Sequence, residues 1–342
     1  MRGAAVAVVA GLLALAACAP TLQTAGRPDA GFAGPRLEKD AFVTFDGTRL
    51  GLTRWPAEGG ASPWAVIVAV HGMNAWARAF HLAGPWWAKQ GIATLAYDQR
   101  GFGRSPGRGI WAPRALTTED LRTIVALARR DYPHALIAVV GESLGAAVAI
   151  EAFASPRPPA ADRLVLASPA VWGWSSQSAP QALALYALAE AGPASVLRPP
   201  RWLGRRISPS DNLPELEADA RDPLMIFGAR ADALAGLTDT MQHASDATGA
   251  LRVPTLFMNG AHDQIIPRAA AWRAARRLSG AGRTVFYAHG WHLLMRDLDA
   301  PTAWRDIAAF IGDPAAPLPS GAPPIPGTKE AKAAALSARA GL

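Results

Sequence analysis

Only one cysteine, Cys18, occurs in this chain of 342 residues. A single thiol closes no internal disulfide and offers no thiolate cluster, so a disulfide scaffold and a Cys-based metal site are both excluded. No His-x-x-x-His helix pattern takes their place, and neither a metal nor a cofactor is expected. Repeats at solenoid periods are missing too. The net charge of +7 is carried mainly by arginine, yet the arginines are scattered, and the pairs Arg129-Arg130, Arg205-Arg206 and Arg276-Arg277 are short. Without a basic stripe interleaved with aromatics there is no nucleic-acid module to expect, only a solvated surface with weak attraction for anionic lipid.

Apolar residues are plentiful, at 50% of the chain, and a sizeable core can form. Tryptophan, at 12 residues, is abundant for this length. Most of these indoles pack a core, and some suit a lipid-facing pocket, because indole joins a large apolar body to one N–H. The N-terminus pairs Arg2 with an apolar run, Ala4 to Leu15, that is too short to span a bilayer and suits a secretory signal. It ends in Leu15-Ala16-Ala17-Cys18, which resembles the lipobox of bacterial lipoproteins. That resemblance implies a signal peptide at 1–17 and a diacylglyceryl group on Cys18. It also implies an exported, membrane-anchored protein with no transmembrane helix after cleavage. Ala19, rather than Asp, directs it to the outer membrane of a cell that has one. An ordinary signal with an incidental cysteine is the alternative.

Residues 18–40, rich in Gly, Pro and Ala, read as a linker, and 313–342, rich in Pro and Ala, as a disordered tail with a frayed helix near Lys329 to Arg339. Between them, at 41–312, strands and helices alternate. A hairpin, Phe42 to Phe45 and Leu50 to Trp55, turns at Asp46-Gly47. Buried strands are expected at Trp64 to Val70, Ile92 to Tyr97, Ile137 to Val140, Arg163 to Ala167, Thr255 to Asn259 and Thr284 to Tyr287. Helices are expected at Phe80 to Lys89, Thr118 to Arg130 behind a Thr117 cap, Ser143 to Phe153, Arg268 to Leu278 and Thr302 to Ile311. This alternation predicts an α/β fold, a mostly parallel sheet with helices on both faces. The stretch from about 170 to 251 breaks the pattern with no convincing strand, and reads as a helical cap over a site.

Gly141-Glu142-Ser143-Leu144-Gly145 stands directly after a buried strand and before an Ala-rich helix. Strand, sharp turn and helix form the context of a nucleophile elbow, with Ser143 at the helix N-terminus where developing negative charge is favoured. A serine nucleophile needs a base, and the base an orienting carboxylate. Asp263 and His292 follow the last two strands in the order Ser, acid, His, at the sheet edge where open α/β sheets place their sites. His289 competes with His292 for the role of base, one of the two being structural. The backbone N–H groups of Leu144 and Met73 are the expected oxyanion donors, with His71 bracing the Met73 loop. Gly101 to Gly107 is no dinucleotide loop, because Pro106 stands where a third glycine belongs.

Taken together, Val70-His71-Gly72, Tyr97 to Ser105, Gly141 to Gly145, Asp222-Pro223-Leu224, Val253 to Pro267 and Gly290-Trp291-His292 resemble the monoacylglycerol lipase and lysophospholipase branch of the α/β-hydrolases. The match spans Phe42 to Ile311, with one departure: Asn74 stands where the family has glycine. The resemblance implies an α/β-hydrolase fold with a cap insertion, a serine esterase acting through an acyl-enzyme, and a structural turn around Asp98. Single-chain lipid esters, monoacylglycerol or lysophospholipid, are the expected substrates, held near Trp172, Trp174 and Trp291. An acyltransferase using the same triad and a non-catalytic envelope binding protein are the rival readings.

Overall fold

The computed structural model describes residues 20–60, 62–198, 206–280 and 282–340. The signal-peptide, Ala19 and Cys18 expectations fall outside them. Among the described residues the main sheet has nine strands: β1 (Arg36–Leu37), β2 (Ala41–Val43), β3 (Arg49–Trp55), β4 (Ala65–Val70), β5 (Ile92–Tyr97), β6 (Leu136–Glu142), β7 (Arg163–Ala167), β10 (Thr255–Gly260) and β11 (Gly282–Tyr287). Their spatial order is β1-β2-β3-β5-β4-β6-β7-β10-β11. The strands from β5 to β11 pair in parallel and the first three antiparallel, so the expected sheet is present.

Strand sequence explains the two-faced core. In β4, Val66, Val68 and Val70 enter one cluster and Ala65, Ile67 and Ala69 the other, because successive side chains point to opposite faces. The first face is covered by α2 (Arg114–Asp131), α3 (Leu144–Phe153) and α7 (Arg268–Ala275). On the second lie α1 (Ala83–Lys89) and α8 (Ala300–Gly312), where Trp87, Ile307 and Phe310 are fully buried. Each such side chain contributes about 1.5–3 kcal/mol of burial.

Three expectations change. Helix α2 starts at Arg114 behind Pro113, so Thr117 is not its cap; it lies in the first turn and bonds back to Arg114 O at 3.3 Å. Within 170–251, after a turn of 3-10 helix at Trp174–Ser176, come α4 (Ala179–Ala191), α5 (Leu213–Arg221) and α6 (Ala231–Ala247). They are joined by a small antiparallel pair, β8 (Val196–Leu197) and β9 (Ala229–Arg230), too short for a sequence pattern to reveal. Helix α6 is not purely cap, since Met241 and Ala244 join the core.

The flanking segments are also ordered against the body. Leu22 bridges to Trp111, and Gly26 N–H donates to Asp46 at 2.6 Å. The expected disordered tail lies along β11: Phe286 N–H donates to Pro323 O at 2.8 Å, and Thr284 N–H to the Glu330 carboxylate at 2.7 Å. Ile325 is fully buried, and α9 (Lys329–Ala340) follows. An edge strand presents unpaired N–H groups, and a proline-rich segment can accept from them without extending the sheet.

Candidate functional site

Ser143 closes β6 and opens α3 with φ 53° and ψ −114°, a strained conformation for an L residue. The surrounding close packing holds it there. A Cβ on Gly145 would stand 2.0 Å from Val70 O, and one on Gly141 would stand 2.6 Å from Ala146 N. Only glycine at both positions lets α3 approach the sheet so closely. Ser143 N–H donates to Ala167 O at 3.0 Å, and Ser143 O accepts from Ala146, Ala147 and Ala170.

The loop after β4 packs beside this turn, where a Cβ on Gly72 would lie 3.2 Å from Ser143 Cβ. His71 is fully buried and locks the loop: its Nε2 accepts from Gln99 N–H at 2.9 Å, which leaves Nδ1–H to donate to Gly72 O at 2.8 Å. Burial favours the neutral ring and lowers its pKa. Asn74 takes φ 65°, a left-handed conformation that asparagine tolerates better than most residues, so the family glycine is replaced without losing the turn. Among the described residues, the N–H groups of Met73 and Leu144 donate to no protein acceptor, so both are free for a ligand oxygen. Asp98 holds the structural turn by accepting from Ala77 N–H at 2.9 Å and Arg104 N–H at 2.9 Å.

Asp263 lies in the loop after β10. Its Oδ1 accepts from the Ile265 and Ile266 N–H groups, each at 2.9 Å, which aims Oδ2 at His292 Nδ1, 3.0 Å away. The two side chains are 2% and 5% exposed. Nδ1 therefore carries the proton and Nε2 keeps its lone pair. Burial by itself opposes a charged imidazolium, but Asp263, by charge and hydrogen bond, together with Glu142 and Asp297, outweighs it and holds the His292 pKa above its ordinary value. His289 is exposed on the turn after β11 and, among the described residues, its side chain makes no hydrogen bond or ion pair, whereas His292 is the one paired with Asp263.

Ser143 and His292 line one cavity of about 300 Å³, walled by Met73, Leu216, Met225, Phe227, Ile265 and Leu293. Among the described residues it is not the largest; one of about 520 Å³ lies beside Trp111. No hydrogen bond joins Ser143 to His292 among the described residues, and catalytic bonds of this kind tighten with substrate. The three tryptophans expected to line the pocket lie elsewhere. Trp174 lines the larger cavity and donates to Asp239 at 2.6 Å. Trp172 packs on the core and donates to Ser176 O at 3.2 Å. Trp291 stacks on His262 at 5.3 Å between ring centroids, outside the cavity wall. Chain proximity to a strand end does not fix which way an indole turns: Trp172 follows a backbone acceptor, Trp174 a carboxylate and Trp291 a stacking partner.

Charged residues that the motif reading passed over line the cavity at Glu142, Asp219 and Arg296, with Asp297 next to Arg296 in the chain. Glu142 and Arg296 are both buried, 3.2 Å apart, and Arg296 reaches Asp219 of α5 at 2.8 Å. Asp297 accepts from Trp291 N–H and Ser210 Oγ, each at 2.7 Å, and burial pushes its pKa up to about 7 against those bonds. The available signal was a charge inside an apolar motif, at Glu142 and at Arg296-Asp297, because such charges are almost never buried without a partner.

A model of the family described as serine aminopeptidase, S33, matches residues 61–299. A monoacylglycerol lipase of Mycolicibacterium smegmatis is 28% identical over 290 residues, covering 79% of this chain and 95% of that protein. Among solved structures, a soluble variant of monoglyceride lipase from Saccharomyces cerevisiae superposes with a TM-score of 0.66 at 17% identity, over 84% of this chain and 98% of its own. A carboxyl esterase from Bacillus coagulans gives 0.64 at 18%, over 80% and 96%. Both structural likenesses concern the fold.

Proposed function

The chain belongs to the α/β-hydrolase family described as serine aminopeptidase, S33, and from that premise we propose that it is a carboxylic ester hydrolase with Ser143 as nucleophile, His292 as base and Asp263 as the orienting acid. The observation that carries the reading is the strained Ser143 turn sharing one cavity with a His292 whose Nδ1 is held by Asp263. Ser143 Oγ attacks the acyl carbonyl while His292 Nε2 takes its proton. The carbonyl oxygen becomes an oxyanion at the Leu144 and Met73 N–H groups. His292 then protonates the departing alcohol, and a water activated by the same nitrogen cleaves the acyl-enzyme.

Single-chain lipid esters are the proposed substrates, monoacylglycerol first. Supporting this are the apolar cavity wall, the lipase named among the relatives, and burial worth about 0.8 kcal/mol per CH₂ of the acyl chain. Lipidation of Cys18 would hold the site at a membrane and raise the local substrate concentration. The test combines fluorophosphonate labelling of wild type and Ser143→Ala with kcat/KM for p-nitrophenyl esters from acetate to palmitate, monoacylglycerol, lysophosphatidylcholine and an aminoacyl p-nitroanilide. Labelling lost in Ser143→Ala and efficiency rising to medium chains are expected. Retained labelling removes Ser143 from its role. Acetate as best ester, with neither lipid cleaved, leaves a generic esterase, and transfer to an added alcohol in preference to water makes the enzyme an acyltransferase. Mass spectrometry of the mature N-terminus tests Cys18.

A further inference from the structure

Helix α5 of the cap is fastened to the catalytic edge by more than surface contact. Arg296 lies in the turn after His292, its N–H bonded to Leu293 O at 2.8 Å. Its guanidinium, 3% exposed, reaches Asp219 near the end of α5 at 2.8 Å and Glu142 at 3.2 Å. Its carbonyl accepts from Asn212 Nδ2 at 2.8 Å, and Asn212 is the residue that caps α5. Both ends of α5 thus grip one residue of the His292 loop. Glu142 immediately precedes Ser143, and among the described residues its second carboxylate oxygen has no hydrogen-bond partner. Arg296 is therefore the group that compensates this buried carboxylate.

We propose that Arg296 is a positioning residue that couples the cap to the nucleophile elbow, holding α5 through Asp219 and neutralising Glu142 beside the base. This rests on the triad reading above. One guanidinium serves both carboxylates because its planar fork presents Nη1–H to Asp219 and Nη2–H to Glu142. Breaking either arm has a distinct consequence. Loss of Asp219 removes one of several fastenings of α5 and loosens the wall that carries Leu216, so an acyl chain loses part of a fixed surface, while Arg78 on Glu215 at 2.6 Å and Asn212 on Arg296 O at 2.8 Å keep the helix docked. Loss of Arg296 also leaves Glu142 as an uncompensated buried charge near His292, which favours imidazolium. The charged groups facing His292 are Asp263, Glu142 and Asp297. Those facing Arg296 are Glu142, Asp219 and Glu215, and the rings of His71 and His81 also feel its charge.

The test measures kcat/KM against pH for p-nitrophenyl acetate and dodecanoate on the full chain. For Asp219→Asn, KM for dodecanoate should rise about tenfold more than for acetate, with the acid limb unmoved. For Arg296→Met, kcat should fall on the order of a hundredfold, as expected when a reacting group is misplaced by about 1 Å. Its acid limb should move up by roughly one pH unit, the effect of an unpaired negative charge on a nearby base. Glu142→Gln should move that limb down. Glu142→Gln/Arg296→Met, which also lacks the contact with Asp219, should cancel the upward shift while raising the dodecanoate KM as Asp219→Asn does. An acid limb common to wild type, Arg296→Met and Glu142→Gln overturns the coupling to the base. Equal KM changes for the two esters in Asp219→Asn overturn the coupling to the cap. If Arg296→Met does not fold, Glu142→Gln and the double variant, neither burying an unpaired carboxylate at 142, decide the matter. A wild type that no fluorophosphonate labels refutes the triad reading instead, before any variant is made.

Discussion

Replacing Asp263 with Asn changes one charge and almost no volume, and the local geometry dictates the consequences. The new side-chain amide keeps an oxygen for the Ile265 and Ile266 N–H groups that now bond Asp263 at 2.9 Å, so the loop should hold. It then turns its NH₂ toward His292 Nδ1, where a carboxylate stands 3.0 Å away in the wild type. Nδ1 must become an acceptor, which puts the proton on Nε2, the nitrogen that should receive the Ser143 proton. With these side chains 2% and 5% exposed, water cannot substitute. The lost charge-assisted hydrogen bond is worth about 1.5–3 kcal/mol, a factor of roughly ten to a hundred at 1.36 kcal/mol per decade. The wrong tautomer brings the total to about 10³–10⁴ in kcat, the scale of the same change in other triads. Stability carries a second signature. The His292 pKa is raised in the folded protein, so its contribution is fully present below the unfolded value of about 6.5 and is lost as pH rises through the folded value. Asp263→Asn should therefore destabilise more at pH 5 than at pH 8, and the acid limb of residual activity should move down. Steady-state kinetics across pH and urea unfolding at the two pH values make the assay. A rate within tenfold of wild type, or a larger stability loss at pH 8, would refute the tautomer argument.

His292→Ala should lower kcat by at least 10⁴-fold while exposed His289→Ala stays within about twofold, as judged by ester turnover; the reverse ranking assigns the base to His289. Gly145→Ala places a methyl 2.0 Å from Val70 O and should cost about 3 kcal/mol or more in urea unfolding, because neither β4 nor α3 can yield. Ile325→Ala should cost about 2–5 kcal/mol if the C-terminal segment is a true cover for β11, and a change below about 0.5 kcal/mol would return that segment to a disordered tail.

Local chemistry made much of this protein legible in its sequence. The continuous apolar run of β4 and the mostly apolar, short run of β5 read as buried strands, and their alternation with helices pointed to a parallel sheet. The glycines around Ser143 marked a turn where nothing larger fits, and the chain order of Ser143, Asp263 and His292 brought them to one sheet edge because each follows a strand of that sheet. Tertiary structure alone decided the rest. Trp172, Trp174 and Trp291 turn from the cavity because their acceptors and stacking partners lie elsewhere, and nothing local encodes that direction. The tail folds back because β11 is an edge strand, a fact of strand order and not of tail composition. Arg296, Glu142 and Asp219 are far apart in the chain, and although Glu142 and Arg296 stand out as charges inside apolar motifs, nothing local names their partners. Only the fold makes them one buried group, because removing all three from water is tolerable only when they meet.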